Sequence, residues 1–265
     1  MIDGRRTLRG PQLYSDSDIA ALSGAALRAR RVLDALLAMT EVGVKPREIE
    51  RECRSRLASI GALPILADIA LPGGTPFGDA CSVGIDDTVA HARPGHDPFE
   101  RGQLVTVDLM LALDGWHADV ADSTIVGGGG HPLLHALDAV WEAGLAAIGP
   151  GVGWNTVAGA MGAAAQAHGA RMVRGLAGHG IGLAPHELPV LPLAPGPADP
   201  DVILRPGMVF TLEPAVTSGS GETVDSEDGW AILTADGAPA VGREAVIAVL
   251  EDGFRVLGGP AADDS

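Results

Sequence analysis

The sequence predicts an α+β fold in which two duplicated α-α-β-β halves pack around a central antiparallel sheet. Three observations lead there. Helix-forming and strand-forming segments come in blocks, two helices and then strands, and the order repeats. The stretch 37–62 overlays 145–170 at a constant offset of 108 residues, the distance from Gly43 to Gly151; Leu-Ala, Gly-Val and a closing Gly-Ala coincide. Asp114-Gly115, set between two apolar runs, is the strongest hairpin signal in the chain.

The first helix is expected to begin near Asp18, capped by Ser15 or Ser17, because Ile19, Leu22, Leu27, Val32, Leu33 and Leu36 recur at roughly helical spacing. The second starts around Pro46, a residue suited to a first helical turn, and ends before Gly61; Ile49, Cys53 and Leu57 fall four apart on one face. "HPLLHALDAVWEAGLAAIG" and "NTVAGAMGAAAQAHG" read as the second helix pair, the latter capped by Asn155. "QLVTVDLMLAL", "ADVADSTIV", "GMVFTLEPAV", "WAILTA" and "EAVIAVL" read as strands. "GPGVGWN" follows a helix and lacks a Lys-Ser/Thr pair, so it reads as a helix–helix turn and not as a phosphate loop. The resulting plan is an N-terminal extension over 1–17, a single domain over 18–257 with halves near 18–127 and 131–257 joined through Gly127–Gly130, and a frayed tail over 258–265. Residues 194–201, "APGPADPD", read as a surface loop.

Composition narrows the function. Asp and Glu number 34 against 18 Lys and Arg, giving a net charge of −16 that opposes attraction to nucleic-acid phosphates or anionic lipid. No run of 18 apolar residues occurs and the first residues hold no apolar signal core, so no membrane segment is expected and the cytoplasm is the expected compartment. Cys53 and Cys81 are too few for a disulfide framework.

Four acids interrupt apolar strands. Asp108 lies inside "LVTVDLMLAL", where an unpaired carboxylate costs several kcal/mol. If Asp114-Gly115 makes a two-residue turn, Leu113 faces Trp116, Asp108 faces Ala121, and Asp119 sits diagonally across from Asp108 on the same face. Taken alone, the pair also suits surface acids of an edge hairpin. Glu213 closes "MVFTL" before Pro214, and Glu244 begins "EAVIAVL". Four acids converging on one centre make sense when cations neutralise them. With His179 the set becomes Asp, Asp, His, Glu, Glu, which suits one or two ions of Mn, Fe, Co or Zn and hydrolysis by metal-acidified water. His179 belongs to "GHGIGLAPHELP", which also holds His186; Gly180, Gly182 and Pro185 argue against a helix there.

The strings "VTVDLMLALDGWHADVADSTIVG", "GHGIGLAPHELPVL" and "LRPGMVFTLEP", in this order and spacing, resemble the type I methionine aminopeptidases of the M24 metallopeptidases, and the resemblance runs from the helix near Asp18 to Leu250. It implies the pita-bread fold and a monomeric hydrolase that removes the initiator methionine from peptides and nascent proteins with a small second residue. By the resemblance, Asp108 chelates one of two divalent ions, Asp119 and Glu244 bridge both, and His179 with Glu213 completes the second set. A hydroxide between the ions attacks the first peptide carbonyl, Glu213 also shuttles the proton, His91 contacts the scissile peptide, and His186 stabilises the tetrahedral intermediate. Trp230 corresponds to a tryptophan lining the methionine pocket, and His117 to a residue that is not a ligand.

Departures from the family concentrate near the substrate. Gly242, Arg243 and Ala245 replace the usual neighbours of the last ligand, Phe77 and Cys81 stand in a pocket segment that usually carries tyrosines, and Pro185 replaces a common aromatic. Two other readings stay open: an M24 peptidase of shifted specificity, for Xaa-Pro or another N-terminal residue, and a non-catalytic binding protein on the same fold.

Overall fold

The computed structural model describes residues 10–70, 74–196 and 198–258. Residues 1–9 of the expected extension and 259–265 of the expected tail lie outside these. Helix α1 spans Asp16–Leu37 and starts two residues earlier than its apolar pattern suggests, because Ser15 and Asp18 form a reciprocal cap: the Ser15 amide donates to the Asp18 carboxylate (3.0 Å) and the Asp18 amide to the Ser15 hydroxyl (3.3 Å). Helix α2 spans Pro46–Ser59 and buries the stripe Ile49, Cys53 and Leu57 completely. Helix α3 spans Pro132–Ala147, capped by the ring of His131, whose Nδ1 accepts the Leu133 amide at 3.1 Å.

Helix α4 spans Trp154–Ala167, and its cap corrects the expectation that Asn155 performs it. Gly153 occupies the capping position, and the carboxylate of Asp201 accepts the Asn155 amide at 2.9 Å. Asp201 sits so close over Gly153 that a Cβ there would lie 2.3 Å from its Oδ2. A side chain distant in sequence supplies this cap. The repeat is otherwise kept: moved by 108 residues, α2 falls on α4 and the short strand Leu63–Pro64 falls on Arg171–Met172.

The strand Leu104–Leu113 pairs with Trp116–Ile125 in the expected register, Leu113 opposite Trp116 and Asp108 opposite Ala121. Asp114 and Gly115 both take positive φ, 53° and 85°, as a two-residue hairpin of this hand requires. Leu63–Pro64 and Ser82–Ile85 join that sheet. In the second half, Gly253–Leu257, Ala245–Leu250, Val209–Leu212, Ala177–Gly180 and Glu187–Pro192 form a five-stranded antiparallel sheet in that spatial order. The expected strand "GMVFTLEPAV" is split at Glu213-Pro214 into Val209–Leu212 and Ala215–Thr217, since proline has no amide to offer the ladder. Two three-stranded sheets, centred on Ala215–Thr217 and Ile232–Thr234, complete the pattern among the described residues.

The two halves are stitched by Ala121 and Glu244, which exchange backbone hydrogen bonds of 3.2 and 2.8 Å. One main core lies under α1 and α2; another lies between α3, α4 and the five-stranded sheet, where Trp154 meets Phe210 edge to face at 5.8 Å. No helix among the described residues is long and apolar enough to cross a membrane.

Candidate metal centre

The stitch between the halves decides where the acids go. Asp108 and Asp119 project from one face of the first-half hairpin, and Glu244 arrives from the second half through its backbone pairing with Ala121. Glu213 enters from the break after Val209–Leu212, and His179 from the strand Ala177–Gly180 beside it. All five line one cavity of about 450 Å³. Ligand atoms of Asp119, His179 and Glu244 lie within 4.8 Å of one another. The His179 Nε2 is 3.9 Å from the Asp119 carboxylate and 3.7 Å from that of Glu213.

Hydrogen bonding aims these groups. The Nδ1 of His179 lies 3.0 Å from the Gly180 carbonyl, which can only accept, so Nδ1 carries the proton and Nε2 presents its lone pair to the acids. Thr211, fully buried, accepts the His179 amide on its hydroxyl at 3.0 Å and donates that hydroxyl to Glu213 at 2.6 Å. It holds two of the five groups at once. Asp119 Oδ1 and Glu244 Oε1 are buried with no hydrogen-bond partner among the described residues.

The electrostatics follow from the burial. Burial raises the Asp108 carboxyl to about 7, against a hydrogen bond with Asp119 that lowers it, and raises Glu213 to about 8. Asp119 and Glu244 are pushed well above the usual carboxylate range, by burial first and then by neighbouring acids. Burial, together with the charge of His186, pulls His179 down to about 4, so its ring is neutral at physiological pH. Orphaned carboxylate oxygens, several acids that repel one another, and a neutral imidazole nitrogen turned toward them make a donor set that fits divalent transition ions.

His91 and His186 stand on the exposed rim of the same cavity; the protein around them nevertheless lowers both imidazoles. His91 follows the strand Thr88–Ala90 with a φ of 56°, a left-handed conformation uncommon outside glycine. The His186 ring lies 4.3 Å from that of His179. His117 stays outside the acid cluster: its ring faces the Gly182 carbonyl at 3.2 Å. An apolar wall of Leu66, Ile69, Met110 and Trp230 closes one side of the cavity.

Two expected pocket residues lie elsewhere. Phe77 stands behind the wall, edge-on to Trp230 at 5.1 Å and almost wholly buried. Cys81 belongs to the first-half core with Cys53, because the alternation of side chains that turns Ser82 to the cavity turns its neighbour inward. Arg243 reaches the other way from the acids. Its Nε donates to Asp122 at 3.0 Å and its terminal nitrogen to Asp138 at 2.9 Å, and its guanidinium lies over Trp141 at 5.9 Å. Asp122 also holds Arg30, at 3.1 Å. Thr211 and Asp122 are the supporting residues that sequence reasoning missed; a threonine within "MVFTLEP" was the one visible signal.

Residues 20–250 match metallopeptidase family M24. A methionine aminopeptidase of Treponema pallidum (strain Nichols) is 34% identical over 233 residues, covering 87% of this chain and 89% of that protein. The crystal structure of methionine aminopeptidase from Rickettsia prowazekii superposes with a TM-score of 0.87 at 26% identity, covering 94% of this chain and 100% of that one. A prolidase from Pyrococcus furiosus shares the fold alone, with a TM-score of 0.72 at 18% identity; the match covers 94% of this chain and 65% of the prolidase.

Proposed function

Because the chain belongs to metallopeptidase family M24 and has its pita-bread fold, we propose that it removes the N-terminal methionine from peptides and nascent proteins whose second residue is small. The observation that carries this reading is the convergence of four carboxylates and one neutral imidazole at the floor of a cavity whose wall is apolar on one side and whose rim holds two histidines. Asp108, Asp119, His179, Glu213 and Glu244 would hold two divalent ions, from among Co, Mn, Fe and Zn. When bound, the ions supply Lewis-acid polarisation of the peptide carbonyl and acidify water.

The protein's own groups do the rest. Glu213, steadied by the Thr211 hydroxyl, takes a proton from the attacking water at its carboxylate and passes it to the leaving amine. His91 binds the scissile peptide, and His186 stabilises the oxygen on which negative charge develops. Leu66, Met110 and Trp230 take the methionine side chain. Retention of all five donors speaks against a non-catalytic binder. Against a prolidase-like activity stands the closer match to methionine aminopeptidases, with a TM-score of 0.87 against 0.72 and the whole of that chain covered against 65% of the prolidase.

The test uses protein stripped of metal and reconstituted with Co(II) or Mn(II). Release of methionine from Met-Ala-Ser but not from Met-Leu-Ser is the expected result. An intact Met-Ala-Ser together with cleavage of an Xaa-Pro peptide would overturn the reading in favour of a prolidase-like enzyme. No cleavage of either, with metal stoichiometry unchanged by Glu244→Ala, would remove the catalytic reading altogether.

A further inference from the structure

The chain has a single tyrosine, Tyr14, and it lies far in sequence from every residue of the proposed centre. It is nevertheless buried, just ahead of α1, and its phenol is fully committed. The hydroxyl donates to the Glu187 carboxylate, 2.8 and 2.9 Å from its two oxygens, and accepts the Leu183 amide at 3.0 Å. Glu187 in turn accepts the Ala184 amide at 2.9 Å. The ring packs edge to face on Trp116 at 5.6 Å. The Tyr14 amide is tied to the Gly207 carbonyl at 2.7 Å.

These bonds surround the turn that carries His186. Leu183 and Ala184 precede it and Glu187 follows it, so the phenol and the carboxylate grip both sides of one imidazole. Gly182 closes the arrangement: a Cβ there would lie 2.2 Å from the Tyr14 oxygen, so the phenol occupies the space a side chain would need. His186 itself is exposed, and its ring meets that of His179 at 4.3 Å from the end of this turn. Burial raises the Tyr14 phenol well above its usual value, the charges of Glu187 and Asp18 add to this, and the Leu183 amide opposes it.

We propose that Tyr14 is a positioning residue for His186: its hydroxyl, held between the Glu187 carboxylate and the Leu183 amide, clamps residues 182–187 and so fixes where the imidazole stands at the cavity. The proposal rests on the reading of His186 as the group that stabilises the developing oxyanion. A hydroxyl from the N-terminal edge of the fold thereby sets the geometry of a group at the cavity rim.

Tyr14→Phe keeps the ring on Trp116 and removes only the hydroxyl. In the metal-loaded enzyme, kcat on Met-Ala-Ser is expected to fall roughly ten- to a hundredfold, the cost of small misplacement of a catalytic group, with little change in KM and none in metal stoichiometry. In a His186→Ala background the same substitution is expected to change nothing further, since the clamp then holds no imidazole. An undiminished kcat in Tyr14→Phe, or an equal loss in both backgrounds, overturns the proposal and leaves Tyr14 a general structural anchor. A second measurement needs neither metal nor substrate. Being the single tyrosine, Tyr14 alone produces phenolate absorbance in the near ultraviolet, and the clamp predicts no such band near pH 10, roughly where a free tyrosine ionises, while the protein stays folded. Phenolate appearing there in folded protein overturns the clamp. Wild-type protein that releases no methionine refutes the proposed function, and a phenolate band near pH 10 would still overturn the clamp on its own.

Discussion

Stripping the metal should make this protein lose stability as pH rises above neutrality. Asp108 and Glu213 are raised to about 7 and about 8 from 3.8 and 4.5, and Asp119 and Glu244 are raised as well, so above those ordinary values the folded chain keeps protons that the unfolded chain has released. The penalty is absent below the unfolded values, grows with pH, and levels off once the folded groups ionise. Histidines work in the opposite sense. His179, lowered to about 4 from 6.5, stays neutral when the unfolded chain takes up a proton, so its contribution to stability is present above 6.5 and is lost as pH falls toward 4. The two effects oppose each other below 6.5; above it the carboxylates act alone. Each retained proton lowers stability by about 1.4 kcal/mol per pH unit. A single one, as Glu213 supplies, therefore costs about 2 kcal/mol between pH 6.5 and 8. Urea unfolding at those two pH values reads this directly. With an m-value of about 3 kcal/mol/M, each such proton should lower the stripped protein's midpoint by roughly 0.7 M, and saturating Mn(II) should abolish the drop because the ion binds the carboxylates deprotonated. Asp119→Asn with Glu213→Gln should flatten the metal-free curve. An unchanged midpoint in stripped wild-type protein would refute the argument that these acids are buried against one another.

Two further outcomes test the surroundings of the centre. Trp230→Ala removes the aromatic member of the apolar wall and its edge contact with Phe77, so KM for Met-Ala-Ser should rise roughly tenfold or more, the scale of losing an aromatic surface worth about 1.5–3 kcal/mol, while kcat falls less. An unchanged KM would place the methionine side chain elsewhere. Asp201→Ala removes the cap of α4 and should cost about 1 kcal/mol in urea unfolding with activity retained; no loss of stability would mean that water or another group replaces the carboxylate.

The legible parts of this molecule are those written in short-range pattern. The helix stripes, the Asp-Gly hairpin and the register that puts Asp108 and Asp119 on one face follow from local periodicity and turn chemistry. The centre itself was legible as a set of violations, acids set in or against apolar strands where an isolated charge is costly. The unread contacts join residues that no local rule connects. Asp201 caps a helix that begins 47 positions earlier, at Trp154, Thr211 joins His179 to Glu213 across two strands, and Tyr14 reaches the turn of His186. The strand Ala177–Gly180 also escaped, because glycine-rich sequence carries no strand propensity and its extended form is imposed by Val209–Leu212 and Glu187–Pro192 on either side.

Arg243 shows why a departure from a family pattern has to be judged by its partners. A cation next in sequence to Glu244 could neutralise the acids proposed to hold metal and so weaken the site. Here the guanidinium is drawn to Asp122 and Asp138 and covered by Trp141, and these charges favour its protonated form against the burial that opposes it. Its charge is balanced within that network before it reaches the centre, and Asp122 is further shared with Arg30. Meanwhile Asp119 Oδ1 and Glu244 Oε1 remain without partners among the described residues. The substitution therefore adds a support behind Glu244, through the backbone that Ser123 also grips by accepting the Gly242 amide at 2.9 Å, and leaves the donor set free for cations.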